Sequence, residues 1–141
     1  MGKKIYREQG WTLLELVVAL FVISVILSVA WSHYASFLRN ARLKEAQAAL
    51  LTNASFMQRW HKQHGRYTKT STTWPNLPVT QTEYFVISFS SKAQGVAEGR
   101  FYLKAVAKNE KEEPRYLTID QFNELRLCEI IDRKKKCILS K

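Results

Sequence analysis

The feature that most constrains this chain is an uncharged, proline-free apolar run from Leu16 to Trp31. Together with residues 11–14 it makes about twenty residues, which is long enough to cross a lipid bilayer as a helix. A single acid, Glu15, interrupts it. The flank before it, residues 1–10, carries three basic side chains, so we expect the amino terminus to stay in the cytoplasm. The sequence therefore predicts a membrane anchor at the amino-terminal end.

The carboxylate of Glu15 needs an explanation, because a charge in hydrocarbon is costly unless it is paired. Glu15 is the fifth residue after Gly10, which directly precedes the apolar segment. No small-residue cleavage site of the secretory type follows that segment, so the candidate processing site is Gly10 itself. A simpler interpretation leaves Glu15 at the membrane edge, with its carboxylate reaching the polar interface.

The basic leader ending in glycine, the apolar helix behind it and the acid at the fifth position resemble the class III signal of type IV prepilins. The resemblance implies that a prepilin peptidase removes the leader, residues 1–10, by cutting after Gly10. It also implies N-methylation of the new terminus at Trp11, where the family usually has Phe. In a filament, the amine of Trp11 would pair with Glu15 of a neighbouring subunit, and this pairing would guide filament assembly.

The same resemblance implies a type IV pilin fold and a location. Residues 11–34 would form the transmembrane and filament-core half of the helix, and residues 35–141 the soluble pilin domain. The chain would be a single-pass inner-membrane protein before assembly. It would then enter a type IV pilus, with its soluble domain in the periplasm or outside the cell. The implied partners are other pilin subunits, the prepilin peptidase and the inner membrane.

The helical pattern continues well beyond the apolar run. No proline or glycine occurs between Trp11 and Gly65, and apolar residues recur at spacings near three and four, which predicts one helix of about fifty residues. Its amphipathic part covers residues 35–64, and Gly65 is the expected C-cap. Residues 65–82 are rich in Ser and Thr and contain two prolines, so they form a predicted loop. Trp74 is expected to pack this loop onto the domain.

A small antiparallel sheet is predicted over residues 83–128. Phe85, Ile87 and Phe89 alternate onto one face, as in a strand with one buried side. The predicted strands are EYFVISFS, GRFYLKAVA, PRYLTIDQF and ELRLCEI. A long helix packed on such a sheet belongs to the α+β class.

Two cysteines, Cys128 and Cys137, frame a short carboxy-terminal segment. No second Cys or His pair lies nearby to complete a zinc site. In an exported protein we expect a disulfide between them, closing a loop over residues 128–137, whereas in the cytosol they would remain free thiols.

Charge points towards a polyanionic partner. The net charge of +10 falls to +8 when the leader is removed with its three basic residues and one acid. Arg133, Lys134, Lys135 and Lys136 stand consecutively inside the predicted disulfide loop. Four adjacent cations in a closed loop are a candidate DNA phosphate clamp. The alternative is a solvated charged tail that keeps the domain soluble.

A second resemblance supports double-stranded DNA as the partner. Residues 48–78 and 99–108 resemble competence pilins, a branch of minor pilins that bind DNA during natural transformation. The resemblance places Lys104 on a strand where these pilins carry a lysine in an electropositive face. Two other basic positions of that face fall on Ser88 and Thr118, and one cysteine pair is present where these pilins have two.

No enzyme or cofactor is predicted. The sequence has no phosphate-binding glycine loop and no recognisable nucleophile with a base. His61 and His64 are interpreted as solvated rather than metal-binding. Two other functions remain open: a structural or priming pilin without a DNA ligand, and a type II secretion pseudopilin. Pseudopilins often bind calcium through clustered acids, and residues 110–113 are the weak candidate for such a site.

Overall fold

The structure is a computed structural model that describes residues 10–94, 99–131 and 133–140. The chain divides into two compact units, Met1–Leu38 and Arg39–Lys141. The hydrophobic core belongs entirely to the second unit. Residues 1–9 of the predicted leader lie outside the described part of the chain.

One α-helix, α1, runs over Leu13–His64 and contains 52 residues. Thr12 caps its start, because its hydroxyl oxygen accepts a hydrogen bond from the Glu15 backbone N–H at 3.3 Å. Gly65 ends it with a left-handed φ of 72°, and its N–H donates to the His61 carbonyl at 2.7 Å. The single long helix and its glycine cap are therefore confirmed.

The first part of α1 is apolar on all sides. By length and composition, α1 contains a stretch that could cross a membrane, and none of that stretch is buried within the protein. A helix that is apolar all round and buries nothing internally needs an apolar environment elsewhere. This exposure fits a segment that lies in lipid or between subunits of a filament.

In the described part of the chain, five antiparallel strands form one sheet in the order β1-β2-β3-β4-β5, each strand beside the next along the chain. The first four confirm the predicted strands, and the fifth is additional. The strands are β1 Phe85–Phe89, β2 Tyr102–Ala107, β3 Tyr116–Asp120, β4 Leu125–Ile131 and β5 Lys134–Leu139.

The sheet has one apolar face that shares a core with α1. Ile87, Ala105 and Leu117 follow one another across β1, β2 and β3 in directly opposed pairs, and all three are buried. Leu50 and Met57 of α1 are fully buried in the same cluster. Because side chains alternate along a strand, the residues between these positions form the opposite, outer face of the sheet.

The predicted loop at residues 65–82 is held by specific contacts. The buried Asn53 of α1 donates from Nδ2 to the Val79 carbonyl at 2.6 Å and accepts from the Val79 N–H at 3.0 Å. Trp74 stacks on Phe89 with ring centroids 4.4 Å apart, and its Nε1–H donates to the Ser91 carbonyl at 2.8 Å. The prediction that Trp74 packs the loop onto the domain is confirmed.

The carboxy-terminal segment corrects one prediction. Cys128 and Cys137 form the expected disulfide, but they are directly opposed residues of β4 and β5 rather than the ends of an irregular loop. Ile131 pairs with Lys134, and Arg133, directly before β5, has a φ of 62°. Lysine-rich segments have low strand propensity, but pairing along β4 and the disulfide outweigh that preference here.

Candidate nucleic-acid interface

The outer face of the sheet carries the cations that the strands can present together. Lys104 of β2 and Lys135 of β5 line one groove with a volume of about 330 Å³. Tyr116 and Thr118 of β3 and Ser90 also line it, so hydroxyl groups lie among the cations. Hydroxyls and ammonium groups are the donors that bind phosphate oxygens. The groove therefore has the chemistry of a phosphate site.

Strand alternation separates the three consecutive lysines of β5. Lys135 lies on the outer face, where its Nζ is 5.6 Å from the centroid of the Tyr116 ring, a cation–π contact. Lys134 and Lys136 lie on the opposite face, with Lys136 directly opposed to Glu129. Arg133 is exposed in the hairpin turn, and the adjacent Asp132 is outside the described residues. The expectation that all four cations form one clamp is therefore wrong in its geometry.

Two acids also line the groove, but one of them is neutralised locally. Glu113 accepts hydrogen bonds from Nε and Nη2 of Arg115 at 2.6 and 2.7 Å, and Nε of Arg39 is 4.0 Å away. The hydrogen bond to Glu113 raises the pKa of Arg115. Glu110 is the other acid. With Lys104, Lys135 and Arg115 on its walls, the groove keeps an excess of positive charge.

The two positions at which the resemblance suggested further basic residues, Ser88 and Thr118, lie on both sides of Lys104. Ser88 and Thr118 are its direct partners on β1 and β3, so the three residues form one row across the outer face. The next residue in that row is Arg126 of β4, which pairs with Thr118. Two positions in this row are uncharged, but a cation stands one strand further along.

Sequence reasoning did not single out Arg126. Its Nη2 lies 2.5 Å from a carboxylate oxygen of Glu124, and this hydrogen bond raises the pKa of Arg126. Arg126, Lys135 and Thr118 line a second groove of about 230 Å³ on the same face. The alternation in LRLCE, once paired with β3, would have placed Arg126 on the face of Lys104.

The other predicted site residues lie in the first unit. Gly10 is exposed, and Trp11 is 73% exposed. Glu15 lies in the first turn of α1, three residues after the cap Thr12, in the order of a capping box. An acid in this turn also interacts favourably with the helix dipole, so Glu15 has a local role in addition to its expected pairing.

The remaining candidate clusters are occupied by ordinary contacts. His61 stacks on Tyr67 at 4.4 Å, and His64 stacks on Trp60 at 3.9 Å. In the acidic stretch at residues 110–113, Glu113 is engaged by arginine as described above, and Glu112 accepts a hydrogen bond from the Asn109 side chain at 2.8 Å. Among the described residues, no group of three metal-ligating side chains converges.

Comparison with known families and structures agrees with this architecture. A profile described as the prokaryotic N-terminal methylation motif matches residues 5–31, and one described as "Type IV minor pilin ComP, DNA uptake sequence receptor" matches residues 32–115. No curated protein sequence matches the chain.

Three solved pilin structures are similar to this chain. The solution structure of the minor DNA-uptake pilin ComP from Neisseria subflava is 34% identical, covering 70% of this chain and 97% of that one, with a TM-score of 0.55. ComP from Neisseria meningitidis is 30% identical over 72% of this chain and 99% of that one, with a TM-score of 0.47. The non-core minor pilin PilV of Neisseria meningitidis shares the fold at 20% identity, covering 75% and 92%, with a TM-score of 0.51.

A methylation motif on a membrane-length helix, followed by a helix-backed antiparallel sheet, defines a type IV pilin. Within that class, the chain belongs to the ComP family of minor pilins. It is accordingly an inner-membrane-anchored pilin that is processed by prepilin peptidase and assembles with other pilins, its soluble domain lying in a pilus. The family is not a known class of enzyme.

Proposed function

We propose that this minor pilin is a receptor for double-stranded DNA in natural transformation and that DNA lies on the outer face of its sheet. The observation that carries the proposal is the groove shared by Lys104 and Lys135, two cations from strands that are not neighbours. Family membership supports the choice of ligand. The protein would act by binding alone, without a catalytic step or a cofactor.

The chemistry of the groove favours phosphate contacts. Lysine is a compact, flexible point charge that suits a phosphate oxygen better than the edge of a base. Thr118 and Tyr116 supply hydroxyls between the two lysines. Contacts of this kind fix the position of a duplex and give affinity that depends strongly on salt.

Arg133, Lys134 and Lys136 have a different part in this proposal. They are exposed but do not line the groove. We infer that Arg133, in the turn, raises the local concentration of DNA by long-range attraction, whereas Lys134 and Lys136, on the opposite face, add little. Such attraction speeds association and weakens steeply as salt is added.

Assembly completes the proposal. Cleavage after Gly10 would leave a positive, N-methylated amine on Trp11, and Glu15 of a neighbouring subunit would neutralise it inside the filament. Mass spectrometry of protein purified from pili should find methylated Trp11 as the first residue. An intact leader, or a cleavage site beyond the apolar segment, would contradict this step.

The ligand is tested by fluorescence anisotropy with a duplex of mixed sequence, using the full chain in a neutral detergent. Two phosphate contacts contribute roughly 1.8 to the slope of log affinity against log salt. Lys104→Ala with Lys135→Ala should remove that share of the slope. Arg59→Ala with Lys62→Ala removes equal charge from α1 and should change it little. If the wild-type protein binds no DNA at low salt, a structural or priming pilin is the better account.

A further inference from the structure

We propose that Arg126 is the residue of the outer face that contacts base edges in the bound DNA and so gives the receptor sequence preference. This inference rests on the DNA-receptor function proposed above and adds a specificity-determining residue to it. Arg126 is placed by β4, two strands from Lys104, in the same row across the sheet.

Arg126 lies on the same face of the sheet as the two lysines of the proposed DNA site. Among the outward-facing residues of the five strands, within the part of the chain that is described, the cations are Lys104, Lys135 and Arg126. Lys135 lines both the groove of Lys104 and the groove of Arg126. A duplex that contacts both lysines would therefore come within reach of the guanidinium, which shares a groove with Lys135.

The guanidinium group of Arg126 suits a base edge better than a lysine ammonium does. A guanidinium presents a planar fork of N–H donors that matches O6 and N7 of guanine in the major groove, whereas lysine cannot make this paired contact as specifically. Ser88 and Thr118, on either side of Lys104, are uncharged, and Arg126 supplies a cation next to Thr118.

The side chain of Arg126 is oriented by a hydrogen bond to Glu124. Nη2 of Arg126 donates to Glu124, and this contact uses part of the fork and leaves other N–H donors available. Glu124 is itself fixed, because its backbone N–H donates to the carboxylate of the buried Asp120 at 3.0 Å. Arg126 remains exposed, with 48% of its side chain accessible. Glu124 is thus a positioning residue that holds the guanidinium towards solvent.

The experiment is selection of duplexes from a random-sequence pool by the full chain in neutral detergent, followed by sequencing and anisotropy. Wild-type protein should enrich a motif that contains guanine. Replacing that guanine by 7-deazaguanine, which lacks N7, should weaken binding between about fivefold and a hundredfold. The deaza effect should shrink in Arg126→Lys, whose ammonium lacks the planar fork, and disappear in Arg126→Ala, which has no donor. Lys104→Ala should weaken binding to all duplexes alike and keep the deaza effect.

A second variant pair tests the positioning residue. Glu124→Ala should reduce the deaza effect, and Glu124→Gln, which keeps an acceptor oxygen, should restore it. A protein that binds the pool without enriching a motif, or an Arg126→Lys variant with an unchanged deaza effect, would overturn the inference and leave the DNA-receptor function intact. Absence of any DNA binding by wild-type protein at low salt would overturn both.

Discussion

Lysines that are neighbours in sequence should differ in their contribution to DNA binding. Lys135 lies on the outer face with Lys104, whereas Lys136 lies on the other face and is directly opposed to Glu129. Lys135→Ala and Lys136→Ala remove the same charge from the same strand, so each is the matched control for the other. We expect the first to weaken DNA binding and the second to leave it almost unchanged.

The size of the difference follows from the geometry. One phosphate contact contributes about 0.9 to the slope of log affinity against log salt. When NaCl is raised from about 50 mM to about 200 mM, a variant that lacks this contact should therefore lose roughly threefold less affinity than the wild-type protein. Ammonium groups that extend from opposite faces of a sheet are separated by on the order of 10 Å, which is a Debye length at 0.1 M salt, so Lys136 is largely screened from a duplex on the outer face.

The assay is anisotropy of a labelled duplex across a salt series, with circular dichroism to check the fold of each variant. Lys135→Ala should lose about 0.9 of the slope, and Lys136→Ala should keep the wild-type slope. Equal losses in both variants would mean that charge on the hairpin matters but its face does not. A loss confined to Lys136→Ala would place DNA on the opposite face and refute the reasoning.

Three further predictions concern stability and assembly. Asn53→Ala leaves a partly buried N–H and carbonyl unpaired and should lower the free energy of unfolding by about 2–3 kcal/mol, measured by urea denaturation. The control variant Gln63→Ala, which removes an exposed amide from α1, should lower the free energy of unfolding by about 0.5 kcal/mol or less. Replacing Cys128 and Cys137 by Ser should cost about 2–3 kcal/mol by the chain-entropy model, and an unchanged urea midpoint would contradict a stabilising disulfide. Glu15→Val should leave the protein stable in the inner membrane but absent from sheared pili; normal incorporation would exclude the pairing role.

Much of the fold is predictable from sequence because local rules and tertiary packing agree. The helix needed only an absence of breakers between Trp11 and Gly65 and a glycine suited to a left-handed C-cap. The strand at Phe85–Phe89 showed clear alternation between a buried and an open face. Each of these sequence patterns lies within one helix or strand, so it could be recognised without knowing which other elements pack against it.

The carboxy-terminal strand was not predictable in the same way. Lys134, Lys135 and Lys136 have low strand propensity, and their pairing depends on β4 and on the disulfide. In a strand, adjacent lysines extend to opposite faces of the sheet, so they cannot contact the same ligand surface. The predicted loop did not impose this separation. Arg126 was missed for a related reason, since its place beside Lys104 depends on the register of three strands.

The most direct test of the account is transformation frequency in a strain that lacks the gene and carries it back as wild type or as Lys104→Ala with Lys135→Ala. Piliation is measured in parallel, and Arg59→Ala with Lys62→Ala serves as the control of equal charge. We expect normal piliation in all strains and a loss of transformation of about tenfold or more in the outer-face variant alone, since two phosphate contacts are removed. Wild-type transformation in that variant, with the protein present in pili, would contradict the assignment of DNA binding to this face.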